Sequence, residues 1–315
     1  MTFRKVMAVC AAAAFAVVAN ASMASAENVK IAVVLKTLSS QYWKIVAAGA
    51  QDAAKKNNVD LILLGPPTED AIEQQINMVQ DALSQKPAAL IFSPSQPDTA
   101  VNVLLKAKAQ HVPVILVDTG MPASFTDYVS FIGTDNVAAG KAGGEALAKL
   151  LKKGDKVLLL DGAPGNPSMN DRVNGAEAVL KDAGIVIASR QPAYSDREKA
   201  YTATQNVLQS TPDVAGVFAG NDEEALGALR ALQQSHKNVP IIGVDANTDN
   251  LRAILAGDLY GSIAQGNFEM GRLGVVKALD AIAGTAVEKR IDSGASLITK
   301  DNAQNVLNFR DKISK

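Results

Sequence analysis

The chain has 315 residues, with 31 Lys and Arg against 32 Asp and Glu, a formal net charge of −1 and one cysteine, Cys10. No block of like charge occurs, which argues against nucleic acid or an anionic membrane surface as a partner. Residues 27–315 contain no cysteine at all, so disulfide and thiol chemistry are excluded there.

Residues 1–26 read as an export signal. Arg4 and Lys5 give a positive start, an apolar run covers 6–18, and Ala24-Ser25-Ala26 supplies the small residues of a cleavage site, so cleavage is expected after Ala26. Asn20 and Ser22 interrupt the run short of the roughly 20 apolar residues that a membrane-spanning helix needs. Cys10 follows Val9 inside the apolar run, which argues against a lipid anchor. Taking 26 from 315 leaves 289 residues, enough for one large or two ordinary domains.

Short runs rich in Val, Ile and Leu then alternate with amphipathic stretches of helical length, the pattern of a parallel sheet covered by helices on both faces. Strands are expected at 31–35, 61–64, 89–92, 112–117, 129–132, 157–160, 186–188, 216–219, 240–244 and 260–264. That is more than one sheet comfortably holds, so two are expected.

An internal repeat supports this division. KIAVVL at 30–35 reappears as KVLLLD at 156–161, and Gly49-Ala50 reappears as Gly175-Ala176, both at an offset of 126. HVPVILVD at 111–118 matches VPIIGVD at 239–245 at an offset of 127. The chain therefore reads as two similar βαβ lobes in tandem. Ligands of open parallel sheets sit beyond the carboxyl ends of the strands, so two such lobes facing each other make a cleft there.

Asp118 and Asp245 occupy equivalent repeat positions, each directly after an apolar strand. A carboxylate there can accept two hydrogen bonds from neighbouring hydroxyls, although Asp after a strand is also a common helix N-cap. Tyr42 and Trp43 follow the first strand, in a chain with only 4% aromatic residues. A flat ring can cover the apolar face of a sugar, and core packing is the alternative for both. Arg172 sits early in the corresponding helix of the second lobe, where its planar fork could grip ring and hydroxyl oxygens or simply be solvated.

Enzyme signals are weak. His111 and His236 precede their strands, at the end away from the cleft, and no His, Cys and Asp cluster suggests a metal. The stretch Gly162-Ala163-Pro164-Gly165 lacks a dinucleotide fingerprint, and Gly140-Lys141 is followed by Ala142 where a phosphate loop needs Ser or Thr.

Several of these segments together resemble a known family. They are Val34 to Ser39 with Tyr42-Trp43, Gly165-Asn166 with Arg172-Val173-Asn174-Gly175-Ala176, Gln191-Pro192-Ala193, Gly220-Asn221-Asp222 and Ala264-Gln265. The combination is similar to the ribose and allose type of periplasmic sugar-binding protein, the solute receptors of ABC importers. The resemblance implies an α/β fold of the type I periplasmic binding protein: two Rossmann-like lobes with parallel sheets, joined by a three-stranded hinge. The lobes would comprise 27–132 with 266–293, and 133–265 with 294–315.

The same resemblance puts Lys36, Ser40, Tyr42, Trp43 and Asp118 on the first lobe, Arg172, Asn221 and Asp245 on the second, and Gln265 at the hinge. Ser40 stands where an asparagine is usual, Thr119 where ribose binders carry an arginine, and Ser195 at an aromatic position, with Tyr194 beside it as a possible substitute. Asp171 adds a carboxylate that the pattern does not require. These departures argue against ribose itself. The implied protein is a periplasmic monomer without enzymatic activity, cofactor or metal. It binds a monosaccharide or sugar alcohol and presents it to an ABC permease. A receptor of the same shape for a furanosyl autoinducer or nucleoside, feeding chemotaxis or a sensor kinase, is the alternative.

Overall fold

The structure, a computed structural model, describes residues 28–313; the leader expected over 1–26 lies outside them. The first lobe opens with β1 (Val29–Val34), α1 (Gln41–Lys56), β2 (Val59–Leu64), α2 (Ile72–Ser84), β3 (Ala89–Phe92), α3 (Pro97–Ala109), β4 (Val114–Val117) and β5 (Ser130–Gly133). The second runs through α4 (Asn136–Ala148), β6 (Lys156–Asp161), α5 (Pro167–Asp182), β7 (Val186–Pro192), α6 (Arg197–Ser210), β8 (Val214–Ala219), α7 (Asp222–Gln234), β9 (Ile241–Asp245), α8 (Thr248–Ala256) and β10 (Gly261–Gln265). The chain ends with α9 (Asn267–Ile282), β11 (Arg290–Asp292), β12 (Ala295–Ile298) and α10 (Ala303–Ile313).

Two sheets result, ordered β2-β1-β3-β4-β5-β11 and β7-β6-β8-β9-β10-β12. The first is parallel throughout, and in the second only β12 runs antiparallel, against β10. Alternate residues of one strand feed the two faces. Ile31 and Val33 join the core under α1 and α9, whereas Ala32 and Val34 join the core under α2 and α3. Leu158 and Leu160 divide from Val157 and Leu159 in the same way in the second lobe. The sequence-expected strands all form, with ends shifted by a few residues. β7 continues past 188 to Pro192, because an edge strand tolerates Arg190, Gln191 and a terminal proline. β11 and β12 were not expected, since they are short, largely exposed and carry no apolar run.

Among the described residues the chain passes between the sheets at 133–136, at 265–267 and at 292–295. These passages run side by side: Ser293 donates its N–H to Gly133 O at 3.0 Å, and the Thr134 and Ser293 hydroxyls meet at 3.0 Å. The helix that follows each of the first two passages packs on the leading helix of its new lobe, α4 on α5 and α9 on α1. Both crossings are too close for a side chain. A Cβ on Gly140 would lie 1.9 Å from Arg172 O, and one on Gly271 would lie 1.9 Å from Val46 O. Gly140-Lys141 is therefore part of a helix crossing.

Candidate functional site

The carboxyl ends of the two sheets face each other across a small cavity of about 30 Å³, room for little more than a water molecule while the lobes are together. Lys36, Ser40, Tyr42, Trp43, Glu69 and Asp118 line it from the first lobe, and Arg172, Ser195, Asn221, Asp245 and Asn247 are among those that line it from the second.

On the first side, Asp118 leaves β4 in the left-handed region at φ 62°. Its carboxylate accepts from the Tyr42 hydroxyl at 2.7 Å and from Thr119 Oγ1 at 2.7 Å, and lies 3.4 Å from Lys36 Nζ. Burial favours the neutral acid, but the Lys36 and Arg172 charges and these two hydroxyl donors outweigh it and hold Asp118 below the usual carboxylate range. Tyr42 is pushed up, by burial and then by the Asp118 charge, so it stays a donor. Trp43 is both a core residue and part of the cavity wall. It belongs to the core under α1 and α9 with 2% of its surface exposed, yet its ring lines the cavity, and its Nε1 donates to Glu69 Oε1 at 2.7 Å.

On the second side, Arg172 is 4% exposed and held at three points of its fork. Nε donates to Asn136 Oδ1 at 2.7 Å, Nη1 to Gly220 O at 3.0 Å, and Nη2 to Gln265 Oε1 at 2.9 Å. Solvation is therefore not its role. Gln265 Nε2 donates in turn to Asp245 Oδ1 at 2.7 Å. Burial pushes Asp245 up to about 7, against the Arg172 charge and the Gln265 hydrogen bond, which act the other way. The N-cap reading fails for both aspartates: Asn247 is the N-cap of α8, and the chain after Asp118 runs on to β5.

Asn221 lines the cavity and also caps α7, its Oδ1 accepting from Glu224 N at 2.9 Å. Gln265 is buried behind the lining and orients Arg172 and Asp245 from there. Two weaker candidates lie elsewhere. Asp171 is exposed and faces a separate depression with Pro167 and Arg290, because successive helical residues point about 100° apart. Tyr194 is 36% exposed, with Lys199 Nζ 4.5 Å from its ring centre, and its neighbour Ser195 lines the cavity instead.

Asn166 and Met169 also line the cavity, and so do Glu69, Ser168, Glu223 and Asn247, which were not singled out from the sequence. Each follows the carboxyl end of a strand, which is the signal that could have found them. The lobes are drawn together by direct contacts: Thr119 with Ser168 at 2.9 Å, Gln96 with Pro164 O at 2.9 Å, Lys199 with Asp70 at 2.9 Å, and Gln41 with Thr248.

Known proteins are similar to this chain in sequence and fold. A ribose import binding protein from Haemophilus influenzae is 33% identical over 282 residues, covering 90% of this chain and 95% of its own. The D-allose-binding periplasmic protein of Escherichia coli is 29% identical over 259 residues, 79% of this chain and 83% of its own. The crystal structure of an ABC transporter solute binding protein from Agrobacterium vitis, with bound D-fucose, matches with a TM-score of 0.84 at 32% identity, over 87% of this chain and 96% of that one. A periplasmic binding protein domain matches residues 31–286, which take in both sheets apart from β11 and β12, together with the residues that line the cavity, and the chain belongs to that family.

Proposed function

We propose that this protein is an exported receptor that takes one monosaccharide or sugar alcohol into the cleft, closes over it and delivers it unchanged to an ABC permease. The observation that carries the reading is the division of polar groups between lobes. Tyr42, Lys36 and Asp118 stand on one side, Arg172 and Asp245 on the other, so a ligand collects its full set of hydrogen bonds only when the lobes are together. Carboxylates and a guanidinium around an indole ring suit vicinal hydroxyls on an apolar ring face. The relatives named for ribose and D-allose and the neighbour holding D-fucose support the same class.

In this reading 28–132 with 266–293, and 133–265 with 294–313, are the moving lobes, and 1–26 is removed during export to the periplasm. The test is mass spectrometry of small molecules extracted from protein purified without added sugar, followed by a thermal-shift panel, because a ligand of the native state raises its melting temperature. An intact monosaccharide or polyol is the expected result. A nucleoside or furanosyl signal would make it a receptor for another message, and a chemically altered sugar would make it an enzyme.

A further inference from the structure

Two helix N-caps face the cavity from opposite lobes, and neither side chain caps its helix. Ser40 precedes α1 and Asn247 precedes α8, both with extended backbone and no side-chain hydrogen bond to the helix. Ser and Asn are preferred at this position because the side-chain oxygen can satisfy a free N–H of the first turn. Here both are turned away from that role and line the cavity. Asn247 is 2% exposed, and neither its Oδ1 nor its Nδ2 has a hydrogen-bond partner among the described residues; Ser40 Oγ is likewise buried without one.

The residues immediately after them hold the lobes together. Gln41 Nε2 donates to Thr248 Oγ1 at 2.5 Å, and Thr248 N donates to Gln41 Oε1 at 2.6 Å. Asn247 is fixed from behind by its own N–H, which donates to Asp222 Oδ2 at 2.6 Å. The clasp thus brings an amide from one lobe and a hydroxyl from the other to the same edge of the cavity.

We infer that Asn247 is a ligand-contacting, specificity-determining residue that, with Ser40, forms a subsite for a neutral hydroxyl at one end of the sugar or polyol, completed when the Gln41–Thr248 clasp closes. This rests on the receptor reading above. An amide offers one acceptor and two donors and a serine hydroxyl offers both roles, which matches a hydroxyl that must donate and accept. Glu223 lines the same edge but is paired with Arg197 Nε at 3.0 Å, so no lone charge stands there to favour an ionic ligand group over a neutral hydroxyl.

The test begins with a thermal-shift panel of D-ribose, D-allose, D-fucose, ribitol and mannitol on the wild-type protein, and takes the best stabiliser into calorimetric titration of wild type, Asn247→Ala, Ser40→Ala, the double variant and Arg172→Ala. Asn247→Ala should weaken binding at least tenfold while the unliganded melting temperature stays level or rises, because a buried amide without a protein partner has been removed. The double variant should lose less than the product of the single losses, since both side chains serve one hydroxyl. Affinity of Asn247→Ala within twofold of wild type, with Arg172→Ala strongly impaired, overturns the subsite and leaves the receptor reading standing. A lowered unliganded melting temperature with unchanged affinity makes Asn247 a structural residue. If no member of the panel stabilises the wild-type protein, the receptor reading for these sugars falls and the subsite with it.

Discussion

Gln265 accepts a hydrogen bond from Arg172 Nη2 at 2.9 Å and passes the orientation on, its Nε2 donating to Asp245 Oδ1 at 2.7 Å. Arg172 and Asp245 themselves are 3.8 Å apart at their nearest charged atoms, so the amide sets their relative geometry. Arg172→Ala should cost about 2 to 5 kcal/mol of binding, the range for truncating a buried charged hydrogen-bond partner. Gln265→Ala should cost about 1 to 3 kcal/mol although it does not line the cavity. Titration calorimetry checks both, and an unaltered affinity for Gln265→Ala would show that Arg172 holds its own direction.

The two paired aspartates should respond differently to amidation. Asp118→Asn strands the buried Lys36 ammonium without its anion, and loss of one partner of a buried pair costs about 3 to 5 kcal/mol of stability. Asp245→Asn replaces a carboxyl whose proton is already held up to about 7, so the unliganded protein should be little changed near neutrality. Both variants should bind sugar poorly. Chemical denaturation read beside ligand titration separates the two effects, and equal losses of stability would refute the asymmetry.

Stability should fall as pH rises from about 4 to about 8. Burial raises Asp245 from 3.8 to about 7 and Glu224 from 4.5 to about 8, and raises Asp222 in the same sense with help from the Asp245 charge. Between the ordinary and the raised values the folded chain holds protons that the unfolded chain has released, so ν_U is smaller than ν_N and the slope of stability with pH is negative. The slope ends below the ordinary values, where both states are protonated, and above the raised ones, where both are ionised. Glu224→Gln should flatten the upper part of the window. Melting temperatures across it check the sign, and a rise toward neutral pH would contradict it.

Trp43 is the chain's one tryptophan, and it lines the cavity with its indole N–H on Glu69. Opening of the lobes should expose the ring edge to water and ligand-driven closure should cover it, so emission should change along a saturable one-site curve. A sugar that raises the melting temperature yet leaves the spectrum unmoved would make the ring's place in the core its whole role.

Gly140→Ala should disturb both fold and site. The added methyl would meet Arg172 O, and overpacking at a backbone contact costs about 1 to 3 kcal/mol or more. Because the displaced carbonyl belongs to Arg172, affinity should drop as well. Thermal melting and titration of the variant check the two outcomes together.

The alternating apolar runs and the repeat were enough by themselves to determine two parallel-sheet lobes, since buried strands must be apolar on both faces. They also placed Asp118 and Asp245 at matching strand ends, and put Arg172, Tyr42 and Trp43 near the same edge. β11 and β12 left no such trace, because short exposed strands need no apolar pattern. Side-chain direction was decided only by tertiary structure. Arg172 turns inward and Asp171 outward because the helix rotates between them, and the left-handed pair Tyr194 and Ser195, at φ 60° and 57°, turns the tyrosine out and the serine in. Distance along the chain hid the rest. Glu69 meets Trp43 across 26 positions within the first lobe, and Gln41 meets Thr248 across 207, a contact that exists only once the two lobes are brought face to face.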